Sequence, residues 1–253
     1  MKQRIVAIIQ ARMTSERLPG KVLMPLGQTT VLESMFERIR RSKYVEEIVV
    51  ATTTNQTDDV IIECCQRNKV KYSRGSEFDV LTRVLDAAKE HQVDLICELF
   101  ADSPLIDPII IDQAITAHLA GDYDCTSTID QVHYSEDTFP VGVPVHIFPT
   151  EVLQKVSDLT TDPIDRVHVS YFIPCNPKLF KLQMLTAAPQ VSGAHIRLTL
   201  DTRADYEIIS KVYEALYPSN PEFLTKDMVK YVRENPEVLL INKTTKQKKK
   251  EEG

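Results

Sequence analysis

The sequence predicts an α/β protein, a three-layer α/β/α arrangement in which a mostly parallel sheet lies between helices. Short apolar runs alternate with amphipathic stretches along the chain, which is the pattern of strand-helix-strand units. Several runs are almost continuously apolar, as strands covered on both faces are. The chain has 253 residues, of which 43% are hydrophobic and 26% charged. This composition suits one folded domain, which we expect to span residues 1–242.

Four strands are predicted in the first part of the chain. They run from Ile5 to Ile9, Ile48 to Thr52, Lys69 to Ser73 and Leu95 to Leu99. The first, second and fourth are almost wholly apolar, so we expect them to be parallel strands buried on both faces. Further strands are predicted near 180–185 and 195–200.

Capping residues mark the starts of four helices. The pairs are Thr30 with Glu33, Ser76 with Asp79, Asp107 with Pro108, and Asp162 with Pro163. A hydroxyl residue followed three positions later by an acid is typical of a capping box, and an aspartate before a proline is typical of an N-cap followed by the first helical residue. Periodicity predicts helices at 150–158, 163–173, 203–217 and 225–234.

Two segments depart from this alternation. Residues 123–148 contain short β-like runs and no long helix, which indicates a small β-rich insertion or lid. Residues 243–253 contain five lysines and no apolar residue. A segment of that composition cannot form a core, so we expect a disordered tail.

Composition argues against several classes of function. The seven glycines are not spaced as in dinucleotide-binding or Walker-type phosphate loops, and a net charge of −6 argues against a nucleic-acid partner. The five cysteines form no C-x-x-C pair, which is typical of reduced thiols in the cytoplasm. The apolar run from Ile5 to Ile9 is too short to span a membrane. We therefore expect a cytoplasmic protein without a membrane span.

The segment IQARMTSERLPGKVL, from Ile9 to Leu23, carries the clearest functional pattern. It follows a predicted buried strand and supplies Arg12, Arg17 and Lys21. Loops at the carboxyl ends of parallel strands line the ligand crevice of such sheets, so three cations on this loop indicate a polyphosphate site. The alternative is that the three side chains are simply solvated at the surface.

This segment and four later ones resemble, in order, the sugar-acid cytidylyltransferases, and in particular the spore coat polysaccharide biosynthesis branch. The later segments are IVVATTTNQTDDVI at Ile48 to Ile61, RGSEFDVLTR at Arg74 to Arg83, ADSPLIDP at Ala101 to Pro108, and RLTLDTRADYEII at Arg197 to Ile209. The resemblance implies a nucleotide-diphospho-sugar transferase-like fold. It also implies transfer of CMP from CTP to a sugar or sugar-acid hydroxyl with release of pyrophosphate, by an enzyme that is commonly a homodimer.

The resemblance also implies a metal site. Family members hold Mg²⁺ with two aspartates, and the matching residues here are Asp102 and Asp201. Other roles are open for both, because Asp102 could be a turn residue. Asp201 could favour the dipole of the following helix, where Thr202 and Asp205 form a predicted capping box.

Further site residues follow from the same resemblance. Lys21 and Arg12 match positions that contact the triphosphate, and with Asp102 they are the predicted catalytic residues. The predicted nucleotide-binding set comprises Gln10, Ala11, Arg12, Ser15, Arg17, Lys21, Ala51, Thr52, Arg74, Ser76 and Asp79. The alternatives are an ordinary strand end at Ala51 and Thr52, and a helix cap at Ser76 and Asp79. His168 matches a family Arg-Glu-His-Val block or is a helix-surface histidine.

The chain departs from the family pattern in two places. Glu98 stands where the spore coat branch has arginine, within the segment Glu98 to Asp102 that includes Phe100, and Pro144 and His146 replace two acids. These changes favour a different acceptor, or a nucleotide-binding partner that has lost turnover. A third hypothesis is a glycosyltransferase using a nucleotide sugar, for which a D-x-D motif occurs at Asp122 to Asp124.

Overall fold

The computed structural model describes residues 3–129 and 138–246. The strands are β1 (Ile5–Gln10), β2 (Pro25–Leu26), β3 (Thr29–Thr30), β4 (Glu47–Thr53), β5 (Lys71–Gly75), β6 (Leu95–Phe100), β7 (Cys125–Ser127), β8 (His146–Pro149) and β9 (Leu182–Met184). The α-helices are α1 (Val31–Ile39), α2 (Asp59–Arg67), α3 (Val80–Glu90), α4 (Pro108–Ala120), α5 (Thr150–Leu159), α6 (Pro163–Val167), α7 (Phe172–Cys175), α8 (Arg203–Leu216) and α9 (Thr225–Glu234). Short 3-10 turns cover Lys21–Leu23, Gln56–Asp58 and Pro236–Leu240.

The central sheet has the strand order β5-β4-β1-β6-β8-β7-β9. Strands β5, β4, β1 and β6 are parallel, β8 is antiparallel to both β6 and β7, and β9 is parallel to β7. The predicted α/β class with a mostly parallel sheet is confirmed. The strand order places the carboxyl ends of β4, β1 and β6 side by side, so the loops that follow them share one edge.

Strand β1 shows why the first apolar run is continuous. Val6 and Ile8 face the core beneath α3 and α5, whereas Ala7 and Ile9 face the core beneath α1, α4 and α8. All four side chains are fully buried. Burying one large aliphatic side chain contributes about 1.5–3 kcal/mol, so the two cores hold β1 rigidly and fix where its carboxyl end lies.

Most of the predicted helix starts are confirmed. Thr30 and Glu33 form the capping box of α1, and Asp107 and Asp162 cap α4 and α6. The predicted box at Ser76 is wrong, because the N-cap of α3 is Asp79. The Ser76 hydroxyl instead accepts the backbone N–H groups of Phe78 and Asp79, which closes the preceding turn.

Two predicted elements differ in the structure. The helix expected at 163–173 is interrupted after α6. The break lets Val169 and Ile173 pack into the core beneath α3 and α5. The strand expected at 195–200 is extended chain with a single bridge between Val141 and Arg197. Beyond that bridge, the N–H of Leu200 donates to the carbonyl of Asp102 at 2.7 Å.

The stretch 123–148, expected to be a small β-rich insertion or lid, contains β7 near its start and most of β8 at its end, and both strands belong to the central sheet. Residues 130–137 of that stretch lie outside the described residues, as do residues 247–253 of the expected tail. Strand β5 begins two residues later than predicted, since Lys69 has a positive φ of 55° that a strand does not accommodate. Among the described helices, none is both long and apolar enough to cross a bilayer.

Candidate active site

One ammonium group lies between the two aspartates that the sequence singles out. Nζ of Lys21 is 3.4 Å from Oδ2 of Asp102 and 3.1 Å from Oδ1 of Asp201, and it donates to the carbonyl of Leu200 at 2.6 Å. The Lys21 side chain is only 12% exposed. The fold therefore brings together residues from three loops that are far apart in sequence.

The loop after β1 is shaped to present Lys21. Gly20 adopts a left-handed conformation with φ +73°, which strains a residue that has a side chain. Its N–H donates to the carbonyl of Met13 at 2.9 Å, which closes the loop on itself. The 3-10 turn that starts at Lys21 then directs the side chain towards the carboxyl end of β6. The backbone bond from Leu200 to Asp102 holds the two aspartate loops together.

Asp201 is surrounded by cations. Besides Lys21, its carboxylate pairs with Arg17 at 3.0 Å and with Arg197 at 2.8 Å. Burial by itself raises the pKa of Asp201, but the charges of Lys21 and Arg17 outweigh it and hold the pKa below its ordinary value. Asp201 is therefore ionised at neutral pH. Arg197, to which sequence reasoning assigned no role, is held in turn by the buried carboxylate of Asp205 at 3.0 Å.

Arg12 has a different partner. Its Nη1 lies 3.3 Å from Oε1 of Glu77, in the loop after β5. Thr14 also donates to Glu77, and Nδ2 of Asn55 donates to its other oxygen at 2.6 Å. Glu77 thus connects the loops that follow β1, β4 and β5. Sequence reasoning missed it, although it lies inside one of the matched segments.

Ala51 and Thr52 are fully buried at the end of β4. The carbonyl of Ala51 accepts the N–H of Ala11 at 3.3 Å. The Thr52 hydroxyl donates to Asp58 at 3.0 Å, and the other oxygen of Asp58 accepts the N–H of Met13 at 2.8 Å. Asp58, a second residue that sequence reasoning missed, therefore ties the first loop to β4.

The side chains of Arg74, Ser76 and Asp79 have protein partners. Arg74 donates to the carbonyls of Thr53 and Asn55, each at 2.7 Å, and Asp79 caps α3 and pairs with Arg166. These contacts indicate that all three side chains stabilise the loops around them. Their predicted contacts with nucleotide stay predictions.

The remaining residues named from the sequence have the following surroundings. Ser15 is half-buried in the first loop, and Gln10, at the end of β1, donates to Glu98 at 2.6 Å. The rings of Phe100 and His146 meet edge to face at 5.8 Å, and those of His168 and Tyr171 at 6.3 Å. Pro144 is buried.

The donor set at Asp102 and Asp201 suits a hard divalent cation. Both carboxylates already contact one cationic group, the ammonium of Lys21, and the atoms that they offer to a metal are all oxygens. Within residues 3–129 and 138–246 no group of three His, Cys, Asp or Glu side chains is placed to hold a metal. Mg²⁺ is commonly held by one or two carboxylates, with water and substrate phosphates completing its shell, so two aspartates fit it.

The D-x-D motif lies elsewhere. The Asp122 side chain is almost fully exposed and pairs with Lys181, and Asp124 accepts the N–H of Lys181 at 2.7 Å. These contacts connect a surface turn to the start of β9, which argues against the glycosyltransferase hypothesis.

An open α/β sheet that gathers paired carboxylates and cations at its carboxyl edge is the arrangement of an α/β protein that binds a ligand at that edge. Comparison with known proteins gives the family. The sequence profile described as cytidylyltransferase matches residues 6–238. The chain belongs to this family of nucleotidyltransferases.

Individual relatives agree with this assignment. A spore coat polysaccharide biosynthesis protein of Bacillus subtilis is 31% identical over 92% of this chain and 95% of its own. The solved structure of a cytidylyltransferase from Leptospira borgpetersenii is 31% identical, with a TM-score of 0.87 over 98% of this chain and all of its own. A CMP-2-keto-3-deoxy-manno-octonic acid synthetase solved with CTP is 18% identical and covers 84% of this chain and 99% of its own, with a TM-score of 0.62, which shows a shared fold.

Replacing Glu77 with glutamine is expected to lower the free energy of unfolding by about 1–3 kcal/mol at pH 7, because one amide cannot accept from all three donors. Hydrogen bonds from Thr14 and Asn55, and then the charge of Arg12, hold the pKa of Glu77 below its ordinary value. A lowered pKa stabilises the fold above the unfolded value of about 4.3, and this contribution is lost as pH falls through the folded value.

Urea unfolding of wild type and E77Q at pH 7 and in acid measures this difference. The two curves should converge as pH falls through the folded pKa of Glu77. The matched control is Glu63→Gln, at an exposed position on α2, which should unfold like wild type. Equal stability of E77Q and wild type at pH 7 would show that Glu77 does not connect the three loops.

Proposed function

We propose that the protein is a Mg²⁺-dependent cytidylyltransferase that transfers CMP from CTP to a sugar or sugar acid and releases pyrophosphate. The position of Lys21 between Asp102 and Asp201 carries this proposal. It gives the site both parts that phosphoryl transfer needs, namely carboxylates for a metal and a cation for the leaving group. The name of the Bacillus subtilis relative supports a role in making surface or spore coat polysaccharide.

The protein's task in such a reaction is to position the reactants and neutralise charge. A hydroxyl oxygen of the acceptor forms the new bond to the α-phosphorus of CTP while the bond to the pyrophosphate oxygen breaks, and the hydroxyl proton is released. Lys21 and Arg17 lie on one loop and both contact Asp201. When triphosphate binds, they exchange part of this contact for phosphate oxygens and stabilise the charge of the leaving pyrophosphate.

Asp102 and Asp201 would hold the Mg²⁺. When bound, the ion neutralises charge on phosphate oxygens and orients them. Asp102 is the more accessible of the two, with 30% of its side chain exposed against 11% for Asp201. We therefore assign to Asp201 the additional task of organising Lys21, Arg17 and Arg197 before substrate arrives.

The test is incubation with CTP, Mg²⁺ and a panel of neutral sugars, amino sugars and keto-sugar acids. We expect pyrophosphate release that depends on both CTP and at least one acceptor, and little with ATP or GTP. Titration calorimetry with CTP supplies the control for binding. No pyrophosphate from any acceptor, together with no heat of CTP binding, would contradict the proposal.

A nucleotide-binding partner without turnover is the second candidate. One observation favours it: a carboxyl group, Glu98, is completely buried beside the predicted nucleotide residue Gln10. It would give CTP binding by calorimetry without pyrophosphate release.

The proposal of a cytidylyltransferase also includes a cytoplasmic homodimer, and sedimentation of the protein in solution tests the dimer.

A further inference from the structure

A polar cluster lies on the helix-α3 side of the sheet, at the carboxyl end of β6. Glu98 is fully buried on β6, and its Oε1 accepts a hydrogen bond from Nε2 of Gln10 at 2.6 Å. Its second oxygen, Oε2, accepts no hydrogen bond of good geometry from the described residues. Ser170 nevertheless lies near enough to Glu98 to lower the pKa of its carboxyl group. The mechanism above uses neither Glu98 nor the side chain of Gln10.

The strand register explains why these two side chains meet. In the parallel pair β1 and β6, Ile8 is opposite Glu98 and Gln10 is opposite Phe100. Side chains two residues apart on a strand share a face, so Gln10 lies one step nearer the sheet edge than Glu98. Glu98 is enclosed, whereas Gln10, the last residue of β1, is half-buried.

The chemistry of the pair fixes the orientation of the Gln10 amide. An ionised carboxylate only accepts hydrogen bonds, so the amide group must turn its NH₂ end towards Glu98. Its carbonyl oxygen, Oε1, is then on the other side, and it accepts no bond from the described residues. A carbonyl presented in this way receives an O–H or N–H group and repels a carboxylate.

We propose that Glu98 is a positioning residue that sets the polarity of Gln10, so that the Gln10 carbonyl oxygen receives a hydroxyl or amino donor of the acceptor sugar. The acceptor is favoured over the nucleotide because Gln10 donates to Glu98 on β6, whereas Arg12 pairs with Glu77 in the loop after β5, on the opposite side of β1 in the strand order. This inference rests on the proposed function, and it narrows the acceptor to a sugar that offers a donor at this position.

Protonation of Glu98 would reverse the orientation of the Gln10 amide. Burial raises the pKa of Glu98 to about 7. A protonated Glu98 can donate its O–H to the amide oxygen of Gln10, which would turn the NH₂ end towards the crevice. The groups that face Glu98 from neighbouring elements are His146, its partner on β8, Cys125 of β7 and Ser170 before α7, with Cys97 next to it on β6. His146 is the one imidazole among them, and its Nδ1 lies 3.0 Å from the Ser127 hydroxyl.

The side-chain amide signals of Gln10 test the positioning step in the whole protein. In ¹⁵N-labelled protein, assigned with the Gln10→Ala variant, we expect these signals to shift between pH 5.5 and 8.5 with a midpoint near 7. In Glu98→Gln the shift should disappear, whereas in His146→Gln it should persist. Signals that do not move in wild type, or that move equally in E98Q, overturn the proposal.

Steady-state kinetics tests the acceptor assignment. For E98Q we expect a several-fold higher KM for the acceptor and a KM for CTP within twofold of wild type. An unchanged KM for the acceptor in E98Q overturns the assignment. It is also overturned if the only sugars that react lack a hydroxyl or amino donor at the position facing Gln10, or if no sugar reacts although CTP binds. Failure of CTP to bind in calorimetry would instead count against the proposed function, so the two failures are distinguishable.

Discussion

Replacing Asp102 with asparagine is expected to reduce the rate of pyrophosphate release from CTP by about 10³-fold. The amide removes one of two negative charges that would hold the metal, and the metal contributes several kcal/mol of charge stabilisation, with about 1.4 kcal/mol for each tenfold in rate. Asp102 contacts Lys21 and Ser103 at 3.4 and 3.2 Å and is partly exposed, so its loss should change stability by less than about 1 kcal/mol. Pyrophosphate assays and thermal unfolding of the same sample separate the two effects.

Asp122→Asn is the matched control for this experiment. Asp122 is also an aspartate in an ion pair with lysine, but it lies on an exposed turn. It should have wild-type activity. A D102N enzyme that retains more than about a tenth of wild-type activity would exclude Asp102 as a metal ligand, because losing even an outer-shell partner of a bound metal typically costs about 10–100-fold.

Replacing Lys21 with methionine is expected to reduce kcat by about 10²–10³-fold, the range for removing one preorganised charge donor from a developing anion. The change also leaves the carbonyl of Leu200 and one face of Asp201 without their donor, which should lower the free energy of unfolding by about 1–3 kcal/mol. Arg17 and Arg197 still neutralise Asp201, so the protein should fold.

Single-turnover measurements with CTP distinguish chemistry from binding in the Lys21 variant. In Lys21→Met the rate of the chemical step should fall much more than the affinity for CTP. Lys211→Met, at an exposed position on α8, should match wild type in both rate and affinity. A normal chemical rate with weakened CTP binding would limit Lys21 to ground-state binding and contradict its role at the leaving group.

The meeting of the first loop with the chain after β6 was predictable from a local rule. Lys21 and Asp102 each lie on a loop that directly follows a buried strand, and β1 and β6 are neighbours in the sheet. The carboxyl ends of neighbouring parallel strands meet at one edge, so cations and carboxylates there come together. The metal-binding roles of Asp102 and Asp201 were predicted only from the resemblance, because an aspartate after a strand can equally be a turn or helix-cap residue.

The supporting contacts were not predictable, because each joins residues far apart in sequence. Arg12 and Glu77 are 65 positions apart, Met13 and Asp58 are 45, and Arg166 and Asp79 are 87. Nothing in the local pattern distinguishes these residues from solvated charges or helix caps. The charge of Glu98 was visible as a departure from the family, but only strand register shows that it meets Gln10.

The fold shows the same division between local and long-range signals. The strands β1, β4 and β6 were located from apolar runs, and α9 was located to the residue from its periodicity. The pairing of β8 with β6 in the antiparallel direction has no such signal, since strand direction depends on the path of the connecting chain. The extended segment at 195–200 has a strand's apolar alternation but bonds to loops, because a ladder requires a partner that sequence periodicity does not reveal.

A crystal structure with CTP and Mg²⁺ bound tests the central claim most directly. The account predicts a divalent ion in contact with both Asp102 and Asp201, and triphosphate oxygens within hydrogen-bond distance of Nζ of Lys21. Nucleotide bound elsewhere on the sheet edge, with Lys21 still shared between the two aspartates and no ion beside them, would contradict it.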